Sequence, residues 1–185
     1  GPRMNSIIRA IGVLALTWFL QVMIFRFGIF SNGWLVICFH LYGLILLPLD
    51  LPKASYLIIG AVTGAFLDVV ILTGGLHMAA GAFVGLMIPK WNEFIAPRDG
   101  FMKGHSINVN HDGWGRFIAL STLITFSYMF VLFAAEGFKW SLIPSAFAKA
   151  LCSSVLNVIL FSIAQGLFGQ KPKTKGPKVS AYPWL

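Results

Sequence analysis

Apolar runs broken by short polar turns divide the chain into six stretches: 7–24, 33–49, 54–72, 75–91, 115–135 and 142–168. A helix needs roughly 20 residues to cross the hydrocarbon core of a bilayer. The pattern therefore predicts six transmembrane helices in one all-α, polytopic integral membrane domain over 4–169. Three stretches, 7–24, 33–49 and 75–91, are slightly short, so bilayer thinning or a partly re-entrant course is expected there.

The polar positions inside these runs are few and spaced regularly. Gly60, Gly64 and Asp68 recur every four residues, as do His77, Gly81 and Gly85, so each trio shares one helical face. Thr73-Gly74-Gly75 joins the two helices in a tight turn and brings Asp68 and His77 to the same end. Small residues let helices approach closely in lipid, and an ionisable group on such a face turns towards protein. Two readings stay open: the stripes pack these helices against each other, or they dock a helix of another chain.

A second stripe, Ser145, Lys149, Ser153 and Asn157, runs along the last stretch. A charged lysine at mid-helix costs roughly 2.5–3.5 kcal/mol, so Lys149 needs a partner or must snorkel. Asp68 is the one acid deep within a span. The two are expected to pair, with His77 as a third member of a polar centre. Thr17 and Gln21, one turn apart, are placed to hydrogen-bond between helices, and His40 reads as a satisfied core histidine.

Composition supports the membrane reading. Of 185 residues, 57% are hydrophobic and 11% charged, against roughly 25% charged in soluble domains; the mean hydropathy is +0.80. Cys38 and Cys152 lie inside apolar runs, where no disulfide framework is expected. The net charge of +8 does not imply nucleic acid, because the basic residues sit in short loops and one tail. With both termini inside, the inner side holds Arg9, Lys53, Lys90, Arg98, Lys103, Arg116, Lys171, Lys173, Lys175 and Lys178. The outer loops hold Arg26 and Lys139. This bias predicts cytoplasmic termini. Gly1-Pro2-Arg3 before Met4 reads as a cleavage scar, and no cleavable signal peptide is expected.

The one long internal loop, 92–114, carries the turn signal Pro97-Arg98-Asp99-Gly100. Alternation over 106–110 suggests a short strand or hairpin. His105, His111 and Asp112 match no recognised zinc spacing. The tail 170–185 reads as a basic, disordered segment near anionic headgroups. No catalytic or nucleotide-binding motif is present, so neither an enzyme nor a cofactor is expected.

The segment from Gly60 to Met87 resembles the signature of the rod shape-determining MreD family, in which a glycine-rich third span carries an Asp, then a small-residue turn and Gly-Leu-His. The matching residues are Gly60, Gly64, Asp68, Gly75, Leu76 and His77. Pro48 to Lys53 and Ala96 to Gly100 are similar to its Bacteroidetes-type branch. The resemblance covers roughly 4–168. It implies a non-enzymatic inner-membrane scaffold of the cell-elongation machinery. Such a scaffold binds MreC and connects through it to the MreB filament and the RodA/PBP2 peptidoglycan synthase. It also implies a fold similar to the substrate-binding S-component of energy-coupling-factor vitamin transporters. Such a subunit is the alternative function, though its Ala-x-x-x-Ala coupling motif is missing, since Ala10 and Ala15 are five apart. Asp68, His77, Lys149, Ser153 and Asn157 are the expected polar centre. Gly60, Gly64, Gly74, Gly75, Gly81 and Gly85 are the expected packing or docking positions.

Overall fold

The structure is a computed structural model that describes residues 2–171, so the greater part of the basic tail lies outside the described residues. Its long helices are α1 (Pro2–Met23), α3 (Lys53–Ile71), α4 (Leu76–Ile95), α6 (Trp114–Gly137) and α7 (Ile143–Phe168), with short helices α2 (His40–Ile45) and α5 (Val109–Asp112). Four of them, α1, α3, α6 and α7, are long and apolar enough to cross a membrane. The fifth long helix, α4, carries Pro89, Lys90, Asn92 and Glu93 in its last turns.

The bundle exposes apolar rows and buries polar side chains within its apolar core. Leu151, Val155, Ile159 and Ile163 recur every four residues along α7 and are all exposed, as are Ile58, Val62 and Phe66 on α3. Gln21, His40, Asp68, His77, Asn92, Ser153 and Asn157 are buried. Water would favour the reverse; lipid tails cover apolar rows at no cost while the interior supplies hydrogen-bond partners. The protein is membrane-associated.

The second predicted helix, 33–49, does not form. Residues 25–39 are irregular. They contain an antiparallel hairpin of β1 (Ile29–Phe30) and β2 (Leu35–Val36), turned through Ser31, Asn32 and Gly33 at positive φ. Only six residues, α2, become helical. Non-helical backbone survives among apolar surroundings only where protein satisfies its polar groups, and here other helices do so. Gln21 on α1 donates to the Ile37 carbonyl at 3.0 Å and accepts from the Phe39 N–H at 2.6 Å. Ser153 accepts from Val36 N–H and donates to the Trp34 carbonyl. Asn157 accepts from Cys38 N–H at 2.9 Å and donates to the Val36 carbonyl at 2.7 Å.

The strand suggested over 106–110 is also absent. Asn108 is extended, and its side chain caps α5 by accepting from Asn110 N–H. A local side-chain bond to the backbone favours a turn over a ladder.

The seam between α3 and α4 explains the glycine stripes. A Cβ on Gly60 would overlap the Gly81 carbonyl, and one on Gly64 the His77 carbonyl. The same substitution would drive Gly81 into Gly60 and Gly85 into the Tyr56 carbonyl. The stripes pack the two helices backbone to backbone, and these faces are not open to another chain.

Candidate functional site

The polar centre begins where α3 ends. Leu72 takes φ +58 as the C-cap, and both Leu72 and Thr73 donate backbone N–H groups to the Asp68 carbonyl. Gly74 and Gly75, at φ +63 and +95, then reverse the chain, a conformation glycine adopts without Cβ strain. Helix α4 starts with Gly75 at its N-cap, so it has no capping side chain of its own. The Asp68 side chain supplies the cap from the preceding helix. Its Oδ1 accepts from His77 N–H and its Oδ2 from Met78 N–H, each at 2.9 Å, and Thr73 Oγ1 also donates to Oδ1. The carboxylate thus meets two of the orphan donors at the helix start and lies at the favourable end of its dipole.

The His77 side chain turns to a different partner. Its Nδ1 is hydrogen-bonded to the Tyr128 hydroxyl of α6, and His40 Nε2 of α2 reaches the same oxygen at 3.1 Å. The three rings lie 5.2–6.1 Å apart. One phenol offers one proton, so it donates to one imidazole and accepts from the other. His40 Nδ1 is buried without a partner. A bare lone pair there is cheaper than an orphaned N–H. That places the His40 proton on Nε2, donating to Tyr128, and the Tyr128 proton towards His77. The histidine expected to be satisfied is therefore satisfied on one side only.

Lys149 does not join this centre. Among the described residues it forms no ion pair. Its Nζ stands 5.6 Å from the ring centroid of Trp34 and 6.0 Å from that of Phe133. The ring quadrupoles take the place of the expected carboxylate, since both oxygens of Asp68 are already spent on α4. Ser153 and Asn157, on the same stripe, also lie away from Asp68 and clamp residues 34–38. The stripe is one functional face whose object is the irregular segment. It continues to Gln165, which accepts from the Tyr42 hydroxyl at 2.9 Å.

Tyr128 escaped the sequence reading although it links two histidines. The available signal was its spacing: Ser121, Thr125 and Tyr128 share one face of α6, and all three are fully buried. Ser121 Oγ and Thr125 Oγ1 have no partner among the described residues.

In comparisons with known proteins, no family model, no curated protein and no solved structure matches the chain.

Proposed function

We propose that this chain is a non-enzymatic scaffold of the MreD type in the bacterial inner membrane. In this reading it binds the transmembrane helix of MreC and so joins the MreB filament to the RodA/PBP2 synthase. The observation that carries the reading is the convergence of the six residues of the resemblance. Gly60, Gly64, Asp68, Gly75, Leu76 and His77 form one joint that locks α3 to α4. Their chemistry is used up within the chain, which suits a rigid framework. A substrate-binding subunit would need ligand-facing polar groups, whereas Asp68, Ser153 and Asn157 bind the chain's own backbone.

With the glycine seam closed, the partner helix seats on the lipid-facing surface. A groove of about 420 Å³ between α6 and α7 is lined by Phe126, Phe147, Leu151, Ser154, Val155 and Ile159. Ser154 lines the groove with its hydroxyl buried, so the contact with a neighbouring helix rests on the apolar side chains. The chain crosses the membrane six times with both termini cytoplasmic, the second crossing being the irregular segment and α2.

The test is co-purification of the full chain with tagged MreC from detergent-solubilised membranes. Co-elution is expected with the wild-type chain and with Val62→Trp on the far face, and its loss with Val155→Trp. Absence of co-elution with the wild-type chain, or indifference to Val155→Trp, overturns the reading.

A further inference from the structure

At the end of the bundle where α1 begins and α7 finishes, a cavity of about 320 Å³ is lined by Arg9, Lys103, His105, His111, Gln170 and Lys171. Among the described residues no carboxylate lines it. Arg9, Lys103 and Lys171 form no ion pair among the described residues, so three cationic side chains from three separate segments line one space, with Asp112 the one carboxylate bonded to its lining histidines. The walls are fixed. Leu49 N–H donates to the His105 carbonyl at 2.9 Å, and Asn108 and Asn110 both donate side-chain N–H groups to the Gln170 carbonyl.

We propose that this cavity binds a phosphate group. Three cations in a concave site raise the local concentration of an anion and favour a multiply charged one. His105 and His111 each spend one ring nitrogen on Asp112, at 2.7 and 3.2 Å. Each keeps its second ring nitrogen free, a donor to an anion when the ring is protonated. The same His105, His111 and Asp112 cluster, with ligand atoms within 4.8 Å of one another, does not suit a metal ion. Its carboxylate is one negative charge beside three lysine and arginine charges.

The phosphate has two sources, a lipid headgroup or the free ion. An adjoining crevice of about 230 Å³ shares Arg9 and Gln170 and continues past Ala10, Val13, Leu46 and Phe168. That continuation, apolar at these four residues and polar at Tyr42, Asn108 and Gln165, offers a path for the part of a lipid below its headgroup.

The experiment uses the full chain in neutral detergent micelles. Native mass spectrometry compares retained phosphatidylglycerol with phosphatidylcholine, and calorimetry follows inorganic phosphate. Phosphatidylglycerol retention above phosphatidylcholine is expected, weakened about five-fold by each of Arg9→Gln, Lys103→Gln and Lys171→Gln. The triple variant is expected to lose it, while a control triple of Lys53→Gln, Lys90→Gln and Arg98→Gln retains it. Displacement of the lipid by millimolar phosphate assigns the site to the free ion; lipid binding that phosphate leaves unchanged assigns it to the headgroup. Equal losses in the two triples, equal retention of the two lipids, binding of neither probe, or saturable zinc binding abolished by His111→Ala would each overturn the proposal.

Discussion

Three donors converge on the buried Asp68 carboxyl, two of them from a helix start that has no cap of its own. The geometry makes a sharp demand on residue type. Asn at this position keeps one acceptor but turns an NH₂ group towards backbone N–H donors. Asp68→Asn is therefore expected to destabilise the protein by about 2–3 kcal/mol, the range for a charge-assisted bond lost at a buried site. Thr73→Val is expected to cost about 1 kcal/mol. Reversible unfolding in mixed micelles measures both, and an unchanged midpoint for Asp68→Asn would contradict the capping role. Asp112 offers a second test, outside the helices. Burial pushes its carboxyl up, but bonds from His105, the Asn108 N–H and His111 outweigh this and hold its pKa below the ordinary value. A depressed folded value means that its contribution is complete above the unfolded carboxylate range, about 3.9, and is lost as pH falls through the folded value. Hydrogen exchange at the Asn108 amide is expected to stay protected from neutral pH down to about 4 and to open below. Asp112→Asn should abolish that acid dependence.

Among the elements, the α3–α4 pair was legible in part because its information is local: two four-residue stripes and a Gly-Gly turn mark two antiparallel helices with glycine faces, but the stripes alone left packing on each other and docking of another chain equally open. Its strength is testable by adding atoms. Gly64→Val would push a side chain into the His77 carbonyl, and overpacking of this kind costs roughly 1–3 kcal/mol or more where backbone must move. Gly12→Val on α1 meets nothing within 4 Å and is expected to be neutral. Thermal midpoints that fall equally for both would contradict the seam. The course of residues 33–49 was not legible, for the opposite reason. Hydropathy records that residues 33–49 prefer an apolar place but not where their backbone hydrogen bonds go. Those partners, Gln21, Ser153 and Asn157, lie 16 to 121 residues away in sequence. They were visible as polar groups on neighbouring spans, yet nothing in their own spacing says that their object is a backbone. Lys149 failed in the same way: a charge in an apolar run asks for a partner, and sequence cannot tell a carboxylate from the faces of Trp34 and Phe133.

For the whole molecule, exposed apolar rows around buried polar side chains argue for immersion in lipid more strongly than any one helix does, and the path of the chain bears on the proposed topology. Gln21, near the end of α1, holds residues 37 and 39, while Leu49 is bonded to His105 in the loop after α4. The irregular segment and α2 therefore carry the chain back along the bundle, between the level of the hairpin and that of the 96–113 loop. An unbroken helix is not needed along that path, because side chains of α1 and α7 meet backbone groups of residues 34 and 36–39. On the six-crossing topology proposed above, the hairpin tip at Asn32 and the turn at Asp99 lie on opposite faces of the membrane, and the excess of Lys and Arg on the Asp99 side favours the cytoplasm for that turn. In a background of Cys38→Ser and Cys152→Ser, Asn32→Cys is expected to react with a membrane-impermeant maleimide applied to spheroplasts. Asp99→Cys is expected to react only after lysis. If both positions label from the same side, residues 24–52 do not cross, and the side assigned to every later loop reverses with them.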